Sequence, residues 1–131
     1  SNCHLAPAAL ASTLRQVGEF WHGRSEWQAA ADAFADALAI EPENGHFANL
    51  LGSCRLELGE LDAAAAAFER AIARDQPLAH TNLAICEFRR GDLAAAARHF
   101  ERAAELEPAS AVANRNLEHF RSLQAAASAG A

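Results

Sequence analysis

Apolar residues recur at helical spacing through almost the whole chain. Leu14, Val17 and Trp21 stand three and four residues apart and so share one face of a helix. Ala30, Phe34, Ala37 and Leu38 do the same in the next segment. The two-helix pattern then returns twice, as Ala48, Leu51 and Arg55 ahead of Ala64, Phe68 and Ala71, and as His80, Leu83 and Glu87 ahead of Ala96, Phe100 and Ala103. Every marker recurs at an offset of 34 and then 32, and the shorter step falls in the loop around Gln76 and Pro77. Neither helix of a pair is apolar all round. Each pair therefore leaves a stripe that only a neighbouring pair can cover, and the pairs are expected to stack.

Small residues and turn residues punctuate this pattern. Gly18, Gly52 and Ala84 fall where the two helices of a pair would cross, and a glycine inside a helix costs about 1 kcal/mol relative to alanine. Its recurrence at one register predicts close helix packing. Ser25 with Gln28 reads as a capping box for the second helix. Gly59 before Glu60 and Gly91 before Asp92 read as left-handed stops followed by acidic starts. Pro77 suits a first helical position, and Ser110 a cap for a last helix in which Ala113, Leu117, Phe120 and Leu123 recur at helical spacing. That helix would cover the third pair and present Arg115, Glu118 and Arg121 to solvent. The expected organisation is a tail and the start of the first helix in residues 1–10. Pairs follow in 11–44, 45–76 and 77–110, then a capping helix in 111–124 and a disordered tail in 125–131.

Written out, the register is Leu14-x2-Val17-Gly18-x2-Trp21 with Ala30-x3-Phe34, Ala37 and Pro42, then Ala48-x2-Leu51-Gly52-x2-Arg55 with Ala64-x3-Phe68, Ala71 and Gln76. The third copy is His80-x2-Leu83-Ala84-x2-Glu87 with Ala96-x3-Phe100, Ala103 and Pro108. Over roughly residues 11 to 121 this resembles the tetratricopeptide repeat. The resemblance implies an all-α fold, a solenoid of three helix-turn-helix repeats plus a C-terminal capping helix. It also implies a non-catalytic module that binds an extended or helical peptide in a concave groove lined by the first helix of each pair. Projected outward from the packing residues, that groove would take Arg15, Glu19 and His22 from the first repeat and His46, Asn49, Ser53 and Leu56 from the second. The third repeat would add Thr81, Asn82, Ile85, Phe88 and Arg89, and the capping helix Arg115 and His119. Leu56, Ile85 and Phe88 would form an apolar strip between Asn49, Asn82 and Arg89, the kind of surface that marks a partner site.

Some members of the family grip a C-terminal carboxylate with Lys, Asn and Arg on successive first helices, as heat-shock cochaperones do. Arg15 matches the first of these, but Glu19 stands where the family has Asn, and Leu50, Leu78 and Asn82 occupy the later positions. Glu19 would repel a carboxylate. The stretches Leu51 to Arg55 with Leu58-Gly59-Glu60, and Ala84 to Glu87 with Gly91-Asp92-Leu93, are similar to class II type III secretion chaperones, which hold an extended translocator segment. A self-assembling scaffold joined through a Trp21 and Trp27 edge, or a homodimer, is a further reading.

Composition narrows the chemistry. The net charge of -6 with no basic stripe argues against nucleic acid, and no 18-residue apolar run is present to span a membrane. All eleven cations are Arg, which with the abundant Ala looks like usage from a GC-rich bacterial genome. The sequence has no Met, and Ser1-Asn2 reads as a remnant of tag cleavage ahead of Cys3. Cys54 and Cys86 sit at equivalent inward positions and read as small buried thiols, which fits a reducing cytoplasm. His4, His22, His46, His80, His99 and His119 are scattered, with no HxxxH or CxxC spacing, so neither metal nor cofactor is expected. With no phosphate loop or nucleophile elbow, catalysis is not expected either. Arg55 and Glu87 replace aromatics at matching points and read as an inter-repeat ion pair or as solvent-reaching side chains.

Overall fold

The protein, as a computed structural model, is described for residues 6–74 and 76–130. Among these residues it forms seven helices and no strand: α1 (Pro7–Gly23), α2 (Trp27–Ile40), α3 (Gly45–Glu57), α4 (Leu61–Ile72), α5 (Leu78–Arg89), α6 (Leu93–Leu106) and α7 (Ala111–Ala129). The chain divides into two compact units, residues 1–76 with α1 to α4 and residues 77–131 with α5 to α7. Within each unit every helix packs on the next in sequence.

The close approach expected at the small residues is present. A Cβ built on Gly18 would lie 2.5 Å from the ring of Phe34, and one on Gly52 would lie 2.5 Å from the ring of Phe68. Both rings are fully buried. Burying a Phe side chain stabilises a fold by about 1.5–3 kcal/mol, so these two rings are major packing elements of residues 1–76. In the second unit Ala84 takes the same register and clusters with Ala96, Phe100 and Phe120, with Ile85, Ala97 and Leu117 packed against them.

Each turn within a pair closes in one way. The residues after Ser25, Gly59 and Gly91 donate their backbone N–H to the carbonyl five positions back, at Trp21, Arg55 and Glu87. This stop needs a left-handed residue, and Gly59 and Gly91 have φ of +78° and +87°. Ser25 occupies the equivalent position with φ of +60°, where a side chain is strained. The Ser25–Gln28 capping box is therefore not formed: Glu26 is the N-cap of α2 without a side-chain bond, and Gln28 donates to Asp32 at 2.9 Å. Caps do form where Asn44, Asp92 and Ser110 accept from the backbone N–H of Phe47, Ala95 and Ala113 at 3.0–3.1 Å.

Several expectations need correction. Pro77 is the N-cap of α5, one position earlier than read from sequence. Helix α7 continues to Ala129 rather than fraying at Gln124, because Ala125 to Ala127 and Ala129 carry the strongest helix propensity. Val17 is 41% exposed, although Leu51 at the same register of the next pair is 7% exposed. Arg55 lies 3.8 Å from Glu60 across the turn to α4, and Glu87 bonds Arg90 at 3.2 Å, so each has a partner within its own repeat.

Ser25→Gly should raise stability by about 0.5–1 kcal/mol, the relief of left-handed strain less the added chain entropy of glycine. Urea unfolding would register this as a higher midpoint at unchanged slope. A midpoint that stays or falls would mean that Ser25 is not strained.

Candidate functional site

In residues 6–76 the sequence-derived candidates separate into surface and interior. Arg15 is held by Glu19 in an ion pair of 2.6 Å one turn away on α1, so its charge is already answered within the helix. His22 is half-buried with its ring edge-on to Trp27 at 5.1 Å, and His46 is exposed beside Phe47. Ser53 is half-buried. Asn49 and Leu56 are each 7% exposed, which removes Leu56 from any exposed apolar strip. Helical geometry explains this. Asn49, Gly52 and Leu56 stand three and four residues apart on one stripe of α3, and Gly52 on that stripe lies against Phe68 of α4.

In residues 77–130 four candidates converge. Ile85, Phe88 and Arg89 of α5, Phe100 of α6, and Asn116, His119, Phe120 and Leu123 of α7 line a mostly apolar hollow of about 280 Å³. Phe88 is 42% exposed, and its ring meets Phe120 edge-on at 5.9 Å. Phe120 in turn lies 5.1 Å from Phe100, so the floor of the hollow is an aromatic stack tied into the core. The polar groups of the lining are one guanidinium, one imidazole and one amide, with no carboxylate among them. A second hollow, lined by Phe88, Leu93, Phe120, Leu123, Gln124 and Ala127, shares three of these side chains.

The remaining candidates do not join this site. Thr81 is 8% exposed and lines a different hollow with Leu78, Ala103 and Val112, while Arg115 is exposed on α7 away from the lining. Asn82 is half-buried. From spacing alone Phe120 and Leu123 read as cover for the third pair, and Asn116 is not singled out. Their spacing with His119 on one face of α7, three and four residues apart, was the available signal.

Two further groups are chemically distinctive. Burial, and secondarily the charge of Glu57, pushes the Cys54 thiol up to about 11, so it stays protonated and unreactive at neutral pH. His80 and His99 stack across α5 and α6 with ring centroids 5.9 Å apart. His99 Nδ1 is 2.9 Å from the Ala95 carbonyl, whereas His80 Nδ1 is buried with no hydrogen-bond partner. Burial first, then His99 and Arg102, hold the His80 pKa below the ordinary histidine value.

The Tetratricopeptide repeat family model matches residues 23–79 and 55–111, well over half of the chain. A comparison with curated proteins found no match. Among solved structures, the first TPR of Spaghetti (RPAP3) bound to the HSP90 peptide SRMEEVD has a TM-score of 0.83 and 21% identity, over 95% of this chain and 99% of that one. The Sgt2 TPR domain from Aspergillus fumigatus has a TM-score of 0.83 and 24% identity, over 90% and 81%. The Yersinia enterocolitica type III secretion chaperone SycD, in complex with a peptide of the translocator YopD, has a TM-score of 0.78 and 20% identity, over 86% and 93%. At these identities the likeness establishes the fold.

The histidine pair makes a pH prediction. The fold favours neutral His80, so the unfolded chain binds the proton more readily. This contribution to stability is complete above the ordinary histidine pKa of about 6.5 and is lost as pH falls below it. Thermal unfolding followed from pH 7.5 to 5 should show a falling midpoint, and His80→Phe should flatten that fall. An unchanged slope in the variant would exclude His80 as its source.

Proposed function

Since the chain belongs to the tetratricopeptide repeat family, we propose that it is a non-catalytic protein-interaction module whose partner segment seats on α5, α6 and α7. The observation that carries this reading is the apolar hollow floored by Phe88, Phe100 and Phe120 and edged by Arg89, Asn116 and His119. Its apolar interior suits a bulky side chain of the partner, and the neighbouring hollow that shares Phe88, Phe120 and Leu123 suits a second anchor. Two adjacent anchor sites favour an extended or helical peptide over a small metabolite. The lining lacks a carboxylate, so a partner carrying acidic residues beside its apolar anchors meets Arg89 and His119 without repulsion.

The solved relatives that hold peptides support this class of activity. Grip of a C-terminal carboxylate in the cochaperone manner is disfavoured by the Arg15–Glu19 pair. A secretion-chaperone role is the same reading with a translocator segment as the ligand, and copurification of such a segment from the source cells would select it. No helix among the described residues is long and apolar enough to cross a membrane. Cys54 and Cys86 are both buried, and small buried thiols suit a reducing compartment such as the cytoplasm.

Peptides selected from a random library against the intact chain should be enriched in bulky apolar residues flanked by acids. Phe88→Ala should weaken the selected peptides at least tenfold while lowering stability by only about 1 kcal/mol, the scale of one aromatic pair at a half-exposed site. Isothermal titration with parallel denaturant curves measures both, with the SRMEEVD peptide as a control that should bind weakly. Undiminished affinity in Phe88→Ala, or global unfolding of that variant, would move the site elsewhere.

A further inference from the structure

The internal repeat identifies a surface whose occupant can be read from the chain's own packing. Thr13, Val17 and Phe20 of α1 are the equivalents, one repeat earlier, of Phe47, Leu51 and Cys54 of α3. In α3 these three are 4%, 7% and 0% exposed. Helix α3 packs between α2 and α4, and Gly52 marks the side against α4, so the Phe47–Leu51–Cys54 strip is turned towards the preceding pair. On α1 the same strip is open. Thr13 is exposed, Val17 is 41% and Phe20 is 55% exposed, and Leu10 beside them is 38% exposed. Phe20 is only partly dressed, by the edge of Trp21 at 5.0 Å and by the Arg24 guanidinium 5.3 Å from its ring centre.

The second helix of each pair records what such a strip receives. On α2 the stripe of Ala30, Phe34 and Ala37 is used against α1, since Phe34 meets Gly18. Ala31 and Leu38, rotated about a quarter turn and seven residues apart, are nevertheless 4% and 3% exposed, so they form the stripe left for α3. The equivalents are Ala65 and Ile72 on α4, and Ala97 and Ala104 on α6. Ala97 of α6 is half-buried against the cluster of Ala84, Ala96, Phe100 and Phe120.

We infer that the outer strip of α1 docks an amphipathic partner helix that presents Ala and, seven residues later, an aliphatic side chain, in the position that α2 holds against α3. The interface is distinct from the hollow on α5 to α7 and rests only on packing within residues 6–76. The partner is a helix of another protein, recognised by the same stripe.

The test uses the intact chain and a fluorescein-labelled synthetic peptide of residues 26–41, which carries Ala31 and Leu38. Anisotropy should show saturable one-to-one binding that Val17→Glu weakens at least tenfold and Phe88→Ala leaves unchanged. Circular dichroism should show that Val17→Glu keeps its helicity; if it does not, Thr13→Glu on the same exposed strip takes its place. Absence of saturable binding overturns the inference, as does binding that neither charge substitution disturbs. Loss of binding with Phe88→Ala instead would assign the peptide to the other hollow. Light scattering that reports a dimer, made monomeric by Val17→Glu, would give the strip to a second copy and would also overturn the inference.

Discussion

The contact on which the pairs depend is a phenylalanine ring lying against a backbone that carries almost no side chain. Phe34 lies over Gly18 and Phe68 over Gly52, each at a distance that leaves no room for a Cβ. A helical glycine is unfavourable by itself, so its cost here is offset by burial of a whole aromatic ring and by the short interhelical distance that burial requires. Once that distance is set, the alanines at 30, 37, 64 and 71 can be fully buried beside the rings without leaving cavities.

The second unit varies this arrangement. Ala84 stands in place of glycine, and Phe100 is 7% exposed rather than fully buried and lines the hollow with residues of α5 and α7. Phe120 lies tilted against the Phe100 ring and Phe88 meets Phe120 edge-on, so the aromatic series that begins in the core ends at the surface. The aromatic contact within a helix pair is thereby continuous with the proposed binding surface. The proposed site and the fold share side chains, and Phe100 in particular belongs to both.

Much of this was legible in the sequence, for identifiable reasons. Helix positions and the small-residue register were readable because a period near 3.6 and offsets of 34 and 32 leave marks on every repeat. Gly59, Gly91 and Ser110 were readable because each backbone geometry there demands a particular residue type. Ser25 was misread because a serine before a helix looks like a cap, and only its alignment with Gly59 and Gly91 reveals that it stands in for glycine. Leu56 was placed on the surface because an outward projection from the packing residues took no account of which side of α3 faces Phe68. Val17 reads as part of the packing face because a repeat pattern does not show which copy of a stripe is left 41% exposed. The hollow itself depends on how α7 lays Phe120 across Phe100, a tertiary fact that spacing along one helix does not contain.

The central claim is best tested by a double-mutant cycle at Gly52 and Phe68. Helix propensity alone predicts that Gly52→Ala stabilises the protein by about 1 kcal/mol. The ring contact predicts the opposite sign in the wild-type background and near neutrality or stabilisation once Phe68→Leu has shortened the facing side chain, with a coupling of about 1 kcal/mol or more. Equilibrium unfolding of the four proteins gives this number directly. A stabilising Gly52→Ala whose effect simply adds to that of Phe68→Leu would contradict the account.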